Sequence, residues 1–363
     1  MSTRPGPTTL VLELWGLGDA VLMTGALQAL LAAGRRVSVL CAPASCELLA
    51  PSYPGVSFLP FRAPWTAFHG KYRLWRWPWR ELSGVIAELR AARFDEALSV
   101  RPDPRDHLLM RLAGARRRCG FPRAGSGVLL SRPVARPTAL RHRAEEWMEL
   151  ARTLLDGDVA PAAPRLARHA YEGDGADAPR GGLPLVVLHP GASQAVRRWP
   201  VAYWRELVAR MRERFAFELV VIPDRDGSGG ELAPCADRLA TDLSLAELVR
   251  LIGRASLFLG NDSGPAHLAA ALGVPGVSVF GPQHPESFAP YSATSRAVSG
   301  EPCPYRGCSD HCRFDAPRCL TDLLPRDVAQ VVLDHVERLL RTGDLPDSMR
   351  RAGTARTGSS AAG

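Results

Sequence analysis

The stretch Asn261-Asp-Ser-Gly-Pro265 places a polar turn between a buried hydrophobic run and a helix of small residues. Gly264 allows close backbone approach or unusual dihedral angles, and the proline after it suits a first helical turn. The amides of such a turn form an anion site together with the helix dipole. His267 lies one position past the turn and offers a further donor to a phosphate. The alternative is that Asp262 or Ser263 only caps the helix.

Two adjacent arginines, Arg197 and Arg198, follow the turn that ends at Ser193. Guanidinium groups bind phosphate oxygens through paired hydrogen bonds, so this stretch is a second candidate phosphate site. The alternative is a solvated basic pair. A third turn, Asp224-Arg-Asp226, repeats the D-x-D pattern of metal-dependent sugar transferases. Its position after a strand of the second half favours ribose contact by Asp226, or ordinary turn chemistry.

The first half of the chain has one turn of this kind, Gly16-Leu-Gly-Asp19. Taken alone, Asp19 is best interpreted as a helix N-cap, and the alternative is a carboxylate that accepts a proton in an interdomain cleft. The turn lacks the third glycine of a dinucleotide fingerprint, which argues against a nicotinamide oxidoreductase. The chain also has no G-x-S-x-G, H-E-x-x-H or P-loop element.

Four of the eight cysteines cluster near the C-terminus. These are Cys303, Cys308, Cys312 and Cys319. They lack the paired C-x2-C knuckles of a typical zinc site, so we predict a reduced structural loop, with zinc or an iron–sulfur centre as the alternative. Disulfides are not expected in a cytosolic chain.

Composition narrows the class of protein. The 363 residues are 46% hydrophobic and 23% charged, which indicates a globular chain long enough for two domains. The net charge of +8 suggests anionic partners, and no nucleic-acid-binding signature is present. The N-terminus has no secretory pattern, and the charge-free stretch 20–34 is too short to span a bilayer. We therefore predict a cytoplasmic protein.

The segment Phe61–Arg80 mixes four tryptophans with basic residues. Such a mixture fits a membrane interface or an anionic glycan, and the alternative is a partly buried connection with ordinary surface arginines. Contact with the inner face of the membrane is accordingly part of the hypothesis.

Both halves of the chain alternate buried-strand runs with helical patterns, which predicts parallel sheets covered on both faces. We predict a first doubly wound domain over residues 1–155 and a second over 183–342. An Ala-, Pro- and Gly-rich linker is expected at 156–182 and a disordered tail at 343–363. The second domain holds most of the candidate turns and is the expected nucleotide site.

These motifs, in this order, resemble glycosyltransferase family 9, the ADP-heptose:lipopolysaccharide heptosyltransferases. The resemblance rests on Gly16-Leu-Gly-Asp-Ala20, on His189-Pro-Gly-Ala-Ser193 continuing to Arg198-Trp-Pro200, on Asn261-Asp-Ser-Gly-Pro-Ala-His267, and on Phe280-Gly-Pro282. It implies the GT-B fold, in which two Rossmann-like domains face a cleft. It also implies an inverting transfer from an ADP-sugar to an envelope glycan, without metal or cofactor.

The resemblance also implies a role for each motif residue. Asp19 matches the base that deprotonates the acceptor hydroxyl, and Arg197 stands where the family typically has a lysine that stabilises the leaving group. The turns that hold the donor diphosphate match Ser193, Asp262, Ser263, Gly264 and His267. A GT-B nucleotide-sugar epimerase and a non-catalytic nucleotide-binding protein remain the alternatives.

Overall fold

The computed structural model describes residues 6–67, 71–136, 138–157, 159–171, 182–301, 303–308 and 311–351. The chain divides into two compact units. Unit 1 comprises Met1–Glu172 with Glu286–Tyr291, and unit 2 comprises Gly173–Pro285 with Ser292–Gly363. Each unit is built on its own sheet.

The sheet of unit 1 has six strands, all parallel, in the order β3-β2-β1-β4-β5-β6. The strands are β1 (Thr8–Glu13), β2 (Arg36–Cys41), β3 (Ser57–Pro60), β4 (Glu96–Ser99), β5 (Arg117–Gly120) and β6 (Arg132–Pro133). Its central strands β1 and β4 are buried along nearly their whole length because helices cover both faces of a parallel sheet. Leu10, Leu12 and Leu98 are accordingly fully buried.

The helices of unit 1 are α1 (Leu17–Ala32), α2 (Pro43–Leu49), α3 (Trp79–Ala91), α4 (Pro104–Leu112) and α5 (Arg143–Leu155). Helix α1 is buried on nearly every side and packs against α5. Gly25 lets the chain at Ala162, after α5, approach α1, since a Cβ at Gly25 would lie 2.3 Å from the carbonyl oxygen of Ala162.

The sheet of unit 2 also has six parallel strands, in the order β12-β11-β10-β7-β8-β9. The strands are β7 (Leu185–His189), β8 (Glu218–Val221), β9 (Arg238–Leu239), β10 (Leu257–Asn261), β11 (Gly276–Phe280) and β12 (Ser295–Ser299). Numbered within its own unit, each sheet has the order 3-2-1-4-5-6 of the Rossmann fold. The predicted pair of doubly wound α/β folds is therefore confirmed.

The helices of unit 2 are α6 (Val201–Arg214), α7 (Leu245–Arg254), α8 (Gly264–Ala271), α10 (Arg318–Thr321) and α11 (Pro325–Thr342), and α9 (Pro285–Phe288) lies where the chain enters the last segment of unit 1. Helix α7 begins with a capping box, because Ser244 and Glu247 bond each other's backbone amides. Helices α6 and α11 pack together, and the buried Trp199 indole donates to the carbonyl of Leu323.

The predicted linker and the predicted C-terminal tail both include residues that are buried in the two units. Within the expected linker, Leu166 and Tyr171 are buried in unit 1, whereas residues 158 and 172–181 lie outside the described residues. The expected tail does not begin at Gly343, because Leu345 and Met349 are buried in unit 2. The segment is rich in Gly and Arg, and burial of two hydrophobic side chains within it explains why the tail begins later than expected. Residues 352–363 lie outside the described residues.

Candidate functional site

The two sheets reverse their strand order between β1 and β4 in unit 1, and between β7 and β10 in unit 2. Ligands of doubly wound folds bind beyond the carboxyl ends of strands at such switch points. In unit 2 the turn after β7 runs through Ser193, and the turn after β10 begins at Asn261. The two stretches that carry the donor prediction therefore lie at the same switch point.

Asn261 holds the two turns together. Its side-chain amide donates to the carbonyl of Pro190 at 2.6 Å, and its oxygen accepts from the amide of Trp199 at 3.1 Å. The side chain is fully buried, so these bonds face no competition from water. Sequence reasoning assigned Asn261 no role. One available signal was that it is the single asparagine of the chain.

Helix α8 begins at this switch point, with Ser263 as its N-cap residue. Ser263 makes no side-chain capping bond, and its buried hydroxyl has no hydrogen-bond partner among the described residues. The capping alternative is therefore wrong for Ser263. Gly264 has helical backbone and no positive φ, so unusual dihedral angles do not explain it. The helix dipole at this end favours a bound anion.

Arg197 and His267 add to the polar surroundings of this helix end. Arg197 ends a 3-10 turn, and its Nη1 lies 3.7 Å from Oδ2 of the buried Asp262. The arginine is about one-fifth exposed, and His267 is buried in the first half of α8. A guanidinium beside a helix start is an arrangement that can pair with phosphate oxygens.

Arg198 is engaged differently from its neighbour. Its Nη2 donates to Asp224 at 3.0 Å, its Nη1 donates to Asp226 at 2.7 Å, and its Nε donates to the carbonyl of Ala192 at 2.9 Å. Bonds from Ser228, with help from Arg198, hold the pKa of Asp226 below its usual range. In this structure Arg198 fastens the loop at 224–228 to the turn after β7, and Asp226 is its partner.

His189, at the end of β7, completes the base of this site. Burial lowers its pKa, and its Nδ1 bonds the carbonyl of Ile222 at 3.0 Å. The ring is therefore neutral at pH 7 and donates through Nδ1. Gly191 beside it has to be glycine, because a Cβ there would lie 2.8 Å from a carboxylate oxygen of Asp224.

The switch point of unit 1 contains Asp19. Gly16 is the N-cap of α1, so the N-cap interpretation of Asp19 is wrong, and Asp19 lies in the first helical turn. Its Oδ1 lies 3.9 Å from Nε of Arg143, and its side chain is about one-quarter exposed (26%). A partly exposed carboxylate in the first turn of a helix is placed so that it can accept a proton.

A second carboxyl group, Glu13, lies behind Asp19 at the end of β1 and is fully buried. Burial, with a further contribution from the charge of Asp19, raises the pKa of Glu13 to about 8. One of its oxygens accepts from the amide of Trp15 at 2.8 Å. Sequence reasoning missed this residue. A glutamate inside the otherwise apolar run Thr9-Leu-Val-Leu-Glu-Leu was the available signal.

Two buried arginines enclose the indole of Trp15. The guanidinium of Arg143 lies 4.5 Å from the ring centroid, and that of Arg101 lies 5.0 Å away. Arg143 also donates to Glu146 at 2.8 Å, and Arg101 pairs with Asp106 at 3.5 Å. Both guanidinium groups are thus paired with carboxylates, and their stacking on Trp15 holds them in place.

Glu13→Gln is expected to flatten the pH dependence of stability. Native Glu13 keeps its proton to a pH of about 8, whereas the unfolded chain releases it near the ordinary value of 4.5. The native state thus binds more protons between these values, and its stability falls as pH rises through this window. Glutamine cannot ionise, so its urea midpoints should fall less. The control is Glu88→Gln, at an exposed position of unit 1. If the urea midpoint of E13Q falls with pH as steeply as that of the parent, the raised pKa of Glu13 is contradicted.

The four clustered cysteines line one cavity, together with Gly281, Pro282 and several arginine and aromatic side chains. All four are free thiols, and burial raises the pKa of Cys319 to about 11. Within the described part of the chain, no group of three or more histidine, cysteine or acidic side chains is placed to hold a metal ion. The structural thiol loop and the alternative metal centre both stay predictions.

No helix among the described residues combines the length and apolar character needed to cross a bilayer.

Comparison with known proteins agrees with this geometry. Residues 84–315 match glycosyltransferase family 9 (heptosyltransferase). Lipopolysaccharide heptosyltransferase 1 of Pseudomonas aeruginosa is 35% identical over 173 residues, which cover 42% of this chain. The match spans about half (48%) of that relative's own length, and about a third of three other curated heptosyltransferases.

Solved structures share the fold over nearly their full length. The Escherichia coli heptosyltransferase WaaC with ADP-2-deoxy-2-fluoro heptose superposes with a TM-score of 0.68 at 17% identity, over 90% of this chain and 99% of that one. A family 9 glycosyltransferase from Veillonella parvula gives a TM-score of 0.74 at 17% identity, over 93% and 99%. The family match covers more than half of this chain. With two Rossmann-like units and the motif turns at their switch points, the chain belongs to glycosyltransferase family 9, the heptosyltransferases.

Proposed function

We propose that this chain transfers a heptose, or a similar sugar, from an ADP-sugar to a hydroxyl of a lipopolysaccharide-type envelope glycan. The observation that carries the proposal is the unit 2 switch point, where Arg197 lies beside the start of α8 in a family 9 chain. The WaaC structure named above binds an ADP-heptose analogue. A helix N-terminus and a guanidinium suit the diphosphate of such a donor.

The proposed reaction is a single inverting displacement. The acceptor oxygen attacks the anomeric carbon and forms the new glycosidic bond, while the bond from that carbon to the diphosphate oxygen breaks. Asp19 takes the proton of the acceptor hydroxyl, and the bonding electrons leave with ADP. Arg197 and the start of α8 stabilise the negative charge that develops on the diphosphate. Ser193, Asp262, Ser263 and His267 are proposed contacts of the donor.

Two of the predicted donor contacts, Arg198 and Asp226, have a positioning role in the proposal. Arg198 and Asp226 hold each other, so they position the turn at Ala192 rather than bind phosphate directly. The same bonds occupy the carboxylates of the D-x-D stretch, which argues against their use as metal ligands. Fixed positive groups replace the divalent cation that other transferases use on the leaving diphosphate.

The proposed acceptor is an anionic glycan or glycolipid. The net charge of +8 suits such an acceptor. We further propose that the protein works in the cytoplasm and contacts the inner face of the membrane peripherally, because a lipid-linked acceptor is presented there. Neither a cofactor nor a nucleic acid takes part.

A donor panel tests the proposal. The purified chain is incubated with ADP-heptose, ADP-glucose, UDP-glucose and UDP-N-acetylglucosamine, with and without a lipopolysaccharide core acceptor, and products are read by mass spectrometry. We expect a joined sugar and free ADP from ADP-heptose only when acceptor is present. Conversion of a donor to its epimer without acceptor would favour the isomerase, and binding without turnover would favour a non-catalytic protein.

The same assay tests metal independence. Transfer is expected to survive EDTA with its rate changed less than about twofold, because the charge on the diphosphate is met by protein groups. Loss of activity in EDTA, restored by Mg²⁺ or Zn²⁺, would contradict this and return attention to Asp224 or the cysteine cluster. Circular dichroism with EDTA separates loss of a catalytic ion from unfolding.

A further inference from the structure

The segment Lys71–Arg80 of unit 1, here called the aromatic–basic segment, exposes large apolar side chains. Tyr72 is 74% exposed, Leu74 52%, Trp75 78% and Trp79 53%. These four make up nearly half of the large exposed hydrophobic side chains among the described residues. A contiguous group of this kind usually marks an interaction surface.

Ring stacking and indole hydrogen bonds hold the exposed rings in place. Trp77 lies 5.5 Å from the buried Trp65 and 5.5 Å from Trp79, measured between ring centroids. The Trp65 indole donates to Asp106 at 2.7 Å, and the Trp79 indole donates to the carbonyl of Leu74 at 2.9 Å. These contacts connect the segment, through Trp65, to Asp106 of α4. Its outer side chains are presented at little entropic cost, because the backbone is already ordered.

The charge of the segment has one sign. Lys71, Arg73, Arg76 and Arg80 are basic, and the ten residues include no acidic side chain. They also include no asparagine, glutamine, serine or threonine. Apart from the Tyr72 hydroxyl, every polar side-chain group here is a hydrogen-bond donor. A sugar-binding surface needs acceptors for sugar hydroxyls, so this composition argues against a glycan as the main occupant.

We propose that the aromatic–basic segment docks unit 1 onto a bilayer that contains anionic lipid. Trp and Tyr rings settle at the headgroup level, where the apolar ring is dry and its polar edge is wet. Leu74 and Trp75 enter the acyl boundary. The basic groups pair with lipid phosphates, and each contributes roughly a fivefold gain in binding at a negative surface. This inference rests on the proposed peripheral membrane contact and assigns it to named residues.

Vesicle co-sedimentation of the full chain, without donor or acceptor, tests the inference. We expect binding to phosphatidylcholine vesicles that contain phosphatidylglycerol, weak binding to pure phosphatidylcholine, and release by salt. Arg73→Ala with Arg76→Ala is expected to weaken binding at least about tenfold. Trp75→Ser should weaken binding to anionic vesicles by a similar factor and leave the salt dependence unchanged.

Matched controls lie elsewhere on the chain. Val128→Ser removes an apolar side chain that is as exposed as Trp75 but outside the segment, and Arg326→Ala removes an exposed arginine of unit 2. Both should bind like the parent. The chain also contains one lysine, Lys71, which allows a direct footprint. Acetylation of Lys71 by an amine reagent, followed by peptide mass spectrometry, should slow when anionic vesicles are present.

Three results would overturn the inference. The first is equal binding to neutral and anionic vesicles, the second is unchanged binding in the segment variants, and the third is Lys71 protection by a soluble anionic oligosaccharide but not by vesicles. Because no donor or acceptor is present, failure of the proposed transfer reaction does not affect the readout. Transfer to a delipidated acceptor without vesicle binding would refute the docking surface alone.

Discussion

Replacing Asp19 by asparagine is expected to lower kcat for transfer about 10²- to 10⁴-fold, the usual contribution of a positioned general base. Asparagine keeps the shape of the side chain and its place in the first turn of α1 but cannot take the acceptor proton. ADP binding by calorimetry should change little, because the proposed donor contacts lie in unit 2. Steady-state kinetics with saturating donor and acceptor give the comparison.

The chain offers a matched control for this variant. Asp327 is the third residue of α11, as Asp19 is of α1, and it lies exposed in unit 2. Asp327→Asn removes the same charge at the same position along a helix dipole, so it should cost only a few tenths of a kcal/mol. We expect its kcat to match the parent. If D19N and D327N show equal activity, Asp19 is not the base.

Replacing Asn261 by leucine is expected to destabilise unit 2 by about 2–4 kcal/mol, since it leaves two buried backbone groups without their hydrogen-bond partner. Leucine has a similar size but leaves the carbonyl of Pro190 and the amide of Trp199 without their present partner. The turn after β7 should then lose its register against α8, and KM for the donor should rise. Thermal and urea unfolding measure the first effect, and donor titration measures the second.

Gln28 provides the comparison for this prediction. Its side-chain amide also donates to two backbone carbonyls, those of Thr24 and Ala163, but it is half-buried and lies in unit 1. Water can replace these bonds, so Gln28→Leu should cost less than about 1 kcal/mol and leave donor KM unchanged. A smaller effect for N261L than for Q28L would refute the bracing role of Asn261.

Local pattern was enough to locate most elements of the fold. The largely apolar runs Arg36–Cys41 and Gly276–Phe280 form strands β2 and β11. Helix α6 begins at Val201, directly after Pro200, which is its N-cap residue. The exact ends of such elements are decided by capping geometry. The disordered tail was placed too early because two buried side chains, Leu345 and Met349, left no periodic signal.

The candidate site was only partly predictable. Adjacent arginines look alike in a sequence, yet Arg198 is saturated by the loop at 224–228 whereas Arg197 lies near Asp262 beside α8. Glu13 looked like one charged residue in a strand, and its raised pKa follows from burial and from Asp19. Asn261 was read as part of a turn, and its bonds to Pro190 and Trp199 make it a brace.

The sequence by itself determined the alternation of buried strands and helices, the family motifs, and the turns at which a ligand would bind. These depend on side-chain periodicity and on glycine and proline positions, which act over a few neighbouring residues. Only the tertiary structure decided which charged side chains form ion pairs and hydrogen bonds, and which titratable groups keep their protons. The partners of Asn261 are 71 and 62 residues away, and the carboxylate partners of Arg198 are 26 and 28 residues away. Hydrogen bonding and desolvation depend on such distant neighbours, and no local pattern records them.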